Sequence, residues 1–163
     1  MARLVLTDAS PLIGLAIVRG LPWLQGLFGQ VWMPAEVQAE LLSGQVTRGE
    51  SDIRTALSAG WLRVWTEPVP EALLPDLDEG EAACIRIALA QAGNTLLLMD
   101  ERAGRALAGQ LGLRMAGTAA VIGMAKARGL IPSARQAFET LHRSDFRISA
   151  EVIRTVLARV GEA

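Results

Sequence analysis

One cysteine and one histidine, Cys84 and His142, are all that this chain of 163 residues contains of either type. A lone cysteine excludes intramolecular disulfides and cysteine-rich zinc sites. A lone histidine excludes two-histidine metal sites and paired-histidine phosphodiester cleavage. With His142 the only histidine, Ser-His-Asp and Cys-His catalysis are not expected either. Tyrosine is absent, which argues against a Tyr-rich binding surface. The formal net charge of −1 supplies no global basic field to draw the protein onto nucleic acid. Lysine occurs only at Lys126, a skew toward Arg that carries no functional weight here. No apolar run is long enough to span a bilayer, since Leu12 to Val18 ends at Arg19. Arg3 and Asp8 also interrupt what would be a targeting segment, so a cytoplasmic protein is expected, with no membrane association.

Apolar residues make up 51% of the chain, more than enough for one core, and the length fits a single domain over residues 1–163. Short apolar runs read as strands: Arg3 to Thr7, Val31 to Met33, Trp61 to Trp65, Thr95 to Met99 and Leu113 to Met115. Between them lie helical stretches. Ser10 and Pro11 read as N-cap and first residue of one. Pro34 opens another, which carries Glu36 and Glu40, and one from Gly49 ends near Ser58. Asp78 to Ala92 and Glu101 to Gln110 follow, then a helix from Gly117-Thr118 to Gly129. Two terminal helices over about 133–160, capped by Ser133 and Ser149, complete the reading. A bend is expected near residues 44–49, and a loop over 67–75, where three of the seven prolines fall. Strands alternating with helices predict a three-layer α/β/α fold with a mostly parallel sheet of about five strands.

In such folds the working crevice lies at the carboxyl ends of the strands, where this sequence places acids. Asp8 and Asp100 each follow an apolar strand. Glu81 lies in the first turn of the helix before the Thr95 strand, and that turn falls at the same edge. Singly, each has a structural role available. Asp78-Glu79-Gly80-Glu81 fits a capping box, Asp100 suits an N-cap, and Asp8 a turn. Together they repel one another unless a cation lies between them, and Mg²⁺ or Mn²⁺ is the usual partner of all-oxygen ligands. Such a cation suits phosphodiester hydrolysis. Glu40 reaches the rim only if its helix leans across it, because it lies some way past the second strand.

These motifs resemble the PIN-domain family, and within it an uncharacterised prokaryotic subgroup related to the toxin ribonucleases of type II toxin–antitoxin modules. Thr7-Asp8-Ala9-Ser10-Pro11-Leu12-Ile13 is similar to the family's opening motif. The segment Pro34 to Leu41 is similar to its second acidic motif, and Gly80-Glu81-Ala82-Ala83 to its Gly-Glu motif. Leu98-Met99-Asp100-Glu101-Arg102-Ala103-Gly104-Arg105 resembles the strand-end acid with its following Gly-Arg. Gly117-Thr118 and the segment Ala125 to Ile131 continue the likeness, which runs from Leu4 to about Gly161. It implies an acidic quartet of Asp8, Glu40, Glu81 and Asp100, with Ser10 and Thr118 as supporting neighbours. It also implies a metal-dependent ribonuclease in which Asp8, Glu81 and Asp100 hold Mg²⁺ or Mn²⁺, with RNA as substrate. A small inhibitory antitoxin protein is the implied partner. Ala9 stands where Thr is frequent and Glu101 where a second Asp is frequent, changes that bear on the surroundings of the metal.

Two other functions fit the same residues. One is a non-catalytic PIN-like module that binds RNA or protein. The other is a metal-dependent phosphatase, although an Asp-x-Asp pair after the first strand is usual there and this chain has Asp8-Ala9-Ser10. Arg102 and Arg105 follow Asp100 on one helix, either as a solvated face or with Arg105 paired to an acid or a substrate phosphate. Arg143, Arg147, Arg154 and Arg159 read as a solubilising face of the terminal helices. Cys84 reads as core, His142 as exposed, and Trp61 and Trp65 as sharing one strand face. Apolar surface around Leu12 to Phe28 is a candidate partner or homodimer contact, with ordinary core as the alternative.

Overall fold

Short apolar runs free of Gly and Pro become the strands, and a computed structural model describes residues 4–44, 49–71, 74, 77–91 and 93–163. Strand β1 (Leu4–Thr7) is followed by helices α1 (Ala9–Ile17) and α2 (Leu21–Phe28), then β2 (Val31–Met33). Next come α3 (Ala35–Leu41), α4 (Glu50–Ala59) and β3 (Leu62–Val64). The second half holds α5 (Glu79–Ala90), β4 (Thr95–Leu98), α6 (Arg102–Gln110), β5 (Arg114–Ala116), α7 (Thr118–Ala127), α8 (Ala134–His142) and α9 (Ala150–Arg159). Expected Arg3 and Ala92 lie outside the described residues, as do parts of the 44–49 bend and the 67–75 loop.

All five strands are parallel, in the order β3-β2-β1-β4-β5. Side chains of a strand alternate between its two faces, and here both faces are apolar. Val5, Leu96 and Leu98 pack with α1, α2, α4, α7, α8 and α9 on one side. Leu6, Leu97 and Met99 pack with α5 and α6 on the other. Helices on both faces make the three-layer α/β/α arrangement that strands buried on both sides require.

Chain order runs outward from β1 in both directions, so the topology reverses between β1 and β4. A parallel sheet opens a crevice at such a point, at the strand carboxyl ends. Thr7 pairs in register with Leu98, and Leu98 with Ala116. The residues that follow, Asp8, Asp100 and Thr118, therefore emerge along one edge.

Three local expectations change. Helix α1 starts at Ala9 with Asp8 at its N-cap position, not Ser10. Trp61 and Trp65 fall outside β3 and pack into different apolar clusters. The last strand is shifted one residue, to Arg114–Ala116. Leu12, Leu15, Leu21, Leu24 and Leu27 are buried core, while Ile13, Ile17, Val18, Trp23 and Phe28 of the same segment are half-buried. No single helix among the described residues is long and apolar enough to cross a membrane, and α1 and α2 meet at a bend of 115°.

The terminal helices are tied down at two points. Ser133 Oγ and the Ala134 N–H donate to the Glu162 carboxylate at 2.7 and 2.6 Å. On α7, Gly123 leaves the space that α9 occupies, since a Cβ there would lie 2.8 Å from Val156 Cγ1. Gly123→Leu is therefore expected to overpack this contact and cost about 1–3 kcal/mol, measured by chemical denaturation. Unchanged stability would show that α9 is not seated on α7 as described.

Candidate metal centre

Asp8 terminates β1 and occupies the N-cap position of α1, yet its side chain makes no capping hydrogen bond. Its carboxylate is thus left to other partners, although only 3% of the residue is exposed. Burial pushes its pKa up to about 7, far above the ordinary 3.8. The Ala9 N–H opposes that rise, and repulsion from Asp78, Glu81 and Glu40 adds to it. A buried acid among acids holds its proton until a cation replaces it.

The capping box at α5 is present. Asp78 accepts the Glu81 N–H at 2.8 Å, and the Asp78 N–H bonds back to the Glu81 carboxylate. This reciprocal pair does more than cap the helix. Carboxylate oxygens of Asp8, Asp78 and Glu81 lie within 4.8 Å of one another. Sequence reasoning gave Asp78 only a capping role. Its i, i+3 spacing from Glu81, which puts both on one helix face, was the available signal. Gly80 makes the approach possible, because a Cβ there would stand 2.8 Å from Asp8 Oδ1.

Glu40 does reach the rim. Helix α3 packs against α1 and α5 and leans across the edge. Glu40 lines a cavity of about 300 Å³ with Asp8, Asp78 and Glu101. Its pKa is raised by lost hydration and by the charge of Asp78. The pKa of Glu81 is raised by burial first and then by Asp78.

Asp100 is held differently. It is not a helix cap, since Glu101 takes that position on α6. Oδ1 accepts the Thr118 N–H at 2.7 Å. Oδ2 accepts Ser10 Oγ at 2.9 Å and Thr118 Oγ1 at 2.7 Å. A carboxylate has about four acceptor positions, so these bonds leave one. Gly117 permits this clamp, as a Cβ there would lie 2.7 Å from Asp100 Oδ1. The expected supporting residues Ser10 and Thr118 therefore touch Asp100 directly, while the tightest acid group is Asp8, Asp78 and Glu81.

Arg105 donates from Nη1 to the Met99 carbonyl at 3.1 Å, so neither expected role describes it fully. Cys84 is fully buried one turn beyond Glu81, and burial with the nearby acids raises its thiol pKa well above the usual range. That makes it inert core. His142 is half-buried, and its Nε2 accepts the Ile148 N–H at 3.4 Å, where exposure was expected.

The donor set fits a hard divalent cation. All three clustered groups are carboxylates, and no softer ligand accompanies them among the described residues. Asp8 also carries the electrostatic stress that a cation relieves.

A family model described as a PIN domain matches residues 4–162. No curated protein matches the chain. Among solved structures, the fold is similar to a PilT N-terminus domain protein from the archaeon Sulfolobus solfataricus. The likeness has a TM-score of 0.56 at 15% identity and covers 72% of this chain and 89% of that one.

A folded-state pKa above the unfolded one favours the protonated form, so this contribution to stability is complete below 3.8 and is lost as pH rises through about 7. The shift corresponds to a ceiling on the order of 4 kcal/mol. Metal-free Asp8→Asn, which cannot ionise there, is expected to gain stability relative to the native chain across that window. Parallel pH–stability curves for the two proteins would remove Asp8 as the stressed group.

Proposed function

The chain belongs to the PIN-domain family, whose members are typically metal-dependent nucleases, and on that premise we propose a ribonuclease that hydrolyses RNA phosphodiester bonds in the cytoplasm. The observation that carries this reading is the convergence of Asp8, Asp78 and Glu81 within 4.8 Å at the topological switch point. Asp8, Asp78 and Glu81 would hold one Mg²⁺ or Mn²⁺, and Asp100 would complete the set through its remaining acceptor position. When bound, the cation supplies Lewis acidity, lowering the pKa of water and neutralising charge that develops on the phosphate.

The protein's own residues do the rest. Ser10 and Thr118 fix the Asp100 carboxylate in one orientation, so no rearrangement is required as the substrate arrives. Glu40 lies on the open wall of the same cavity, and its raised pKa suits it to take a proton from the attacking water. Glu101 adds negative charge at the mouth and influences Glu81.

The toxin of a toxin–antitoxin pair is the finer form of this proposal. An Arg from a small inhibitory protein would satisfy two of these carboxylates bidentately and take the cation's place. Expression alone would then slow growth, and co-expression of the adjacent reading frame would restore it. Purified protein that keeps full activity beside that neighbour, with no complex on size-exclusion chromatography, would remove the toxin form and leave the nuclease standing.

Asp8→Asn is expected to abolish Mn²⁺-dependent RNA cleavage and most of the rise in Tm on adding Mn²⁺, because a ligand bound only by the folded state stabilises it. Thr118→Ala and Ser10→Ala should each lower activity roughly 10–100-fold, as loss of groups that orient a metal ligand does. Identical melts and cleavage in EDTA and in Mn²⁺ would refute the metal mechanism. Hydrolysis of small phosphate esters with RNA left intact would favour the phosphatase.

A further inference from the structure

Between parallel strands the backbone hydrogen bonds continue rung by rung at even spacing. The Met99 N–H donates to the Ala116 carbonyl at 2.9 Å, just past the last paired residues, Leu98 and Ala116. The next rung would run from the Thr118 N–H to the Met99 carbonyl. It is not formed. The Thr118 N–H donates instead to Asp100 Oδ1 at 2.7 Å, and the Met99 carbonyl accepts Nη1 of Arg105 at 3.1 Å. One donor has left the ladder for a carboxylate, and a guanidinium stands in its place.

We propose that Arg105 is a positioning residue for Asp100: by satisfying the Met99 carbonyl, it keeps the Thr118 N–H free to orient that carboxylate. The proposal rests on the metal-dependent reading above. It adds to the site a residue that acts through the backbone and touches neither cation nor substrate.

The strength of the effect follows from which acceptor has an alternative. Without Arg105, the Met99 carbonyl and Asp100 Oδ1 compete for one N–H. Taken singly, the charge-assisted bond to the carboxylate is the stronger. Asp100 is half-buried, however, so water can replace a lost donor, and Ser10 Oγ and Thr118 Oγ1 still hold its other oxygen. Met99 is fully buried, and its carbonyl has no second donor among the described residues. A buried carbonyl left without a partner costs as much as a lost hydrogen bond. The N–H is therefore drawn back to the ladder, and the carboxylate turns.

Two glycines let the groups meet. At Gly117 a Cβ would lie 2.7 Å from Asp100 Oδ1 and 3.5 Å from both Arg105 Nη1 and the Met99 carbonyl oxygen. At Gly104 a Cβ would lie 3.3 Å from Glu81 Cδ, so the first turn of α6 sits close enough for Arg105 to reach back past its own start. Arg105 also lines a cavity of about 690 Å³ with Asp100 and Gly117, and this cavity shares Ser10 and Phe146 with the acidic one. A direct contact with substrate phosphate from that cavity is the rival role.

NMR scalar coupling across hydrogen bonds, read on isotope-labelled metal-free protein, tests the exchange directly. In the native chain the Thr118 amide is expected to couple to the Asp100 side-chain carboxyl carbon and not to the Met99 carbonyl carbon. In Arg105→Met the coupling should move to the Met99 carbonyl. Calorimetric Mn²⁺ affinity, measured without RNA, should fall roughly 10–100-fold in the same variant, as it does when the support of a metal ligand is removed. Arg105→Lys still offers donors to the carbonyl and should recover most of that loss. Arg105→Ala, a strong helix former, repeats the test should the longer side chain pack badly. Unchanged Mn²⁺ affinity in Arg105→Met and Arg105→Ala, or Thr118 coupling that stays on Asp100, would overturn the proposal. A raised KM for RNA with Mn²⁺ affinity unchanged would assign Arg105 to substrate phosphate instead. Native protein that binds no Mn²⁺ would overturn the proposal and the metal reading together. Native protein that binds Mn²⁺ and leaves RNA intact would strike the nuclease reading alone.

Discussion

Holding Asp8, Asp78 and Glu81 together against their mutual repulsion is the constraint around which this molecule is arranged. Carboxylates with oxygens within 4.8 Å destabilise a folded chain when all are ionised, and burial of Asp8 sharpens the conflict. The rest of the fold has to tolerate that stress when the cation is absent. Two devices do so. The capping box ties Asp78 and Glu81 to backbone amides of α5, which partly offsets their charge. The second is the sheet itself. Asp8 is fixed by a backbone bond from its N–H to the Leu98 carbonyl at 3.0 Å, and it follows a strand whose two faces are both packed. Such a strand cannot shift register by one residue without turning its side chains to the opposite faces. The acid therefore cannot relax away from its neighbours.

Glycine does quieter work at the same edge. Gly80 and Gly117 each stand where a Cβ would press within 2.8 Å of a site carboxylate oxygen. Neither has a backbone conformation that requires glycine. Their role is space. Gly80 lets the first turn of α5 approach Asp8, and Gly117 lets α7 present both a backbone N–H and a hydroxyl to Asp100. The two acids at the switch point are thus set up in opposite ways. Asp8 is buried without a capping bond and stressed, while Asp100 is saturated but for one acceptor position. A cation has most to offer the first and finds the second already oriented.

Much of this was legible from sequence because it rests on local pattern. Uninterrupted apolar runs marked the strands, and their alternation with helices fixed a parallel sheet, which in turn put Asp8, Glu81 and Asp100 on one rim. What escaped depends on relations between distant elements. Ser10 beside Pro11 looked like a cap by local pattern, and only the family resemblance set it beside the acids, because its hydroxyl is 90 positions from its partner Asp100. Asp78 looked like a cap and is one. Nothing local showed that the same carboxylate also faces Asp8. Glu40 depended on the lean of α3, set by packing against α1 and α5. The apolar segment from Leu12 to Phe28 was equally compatible with core and surface, because two short amphipathic helices at a sharp bend bury more than either pattern alone implies.

The terminal helices bring these strands of argument together. Their basic residues looked like a solubilising face because helical spacing cannot say which neighbour a side chain meets. Packing of α9 against α7 at Gly123 decides it for Arg159, which joins Arg105 and Arg147 on one cavity wall, whereas Arg143 lies elsewhere. Phe146 lies against Gly14 of α1 and lines both cavities. The basic residues thus sort by the neighbours their elements meet: Arg105, Arg147 and Arg159 line one cavity together with Asp100 and Glu151, and Arg143 lines another with Glu139.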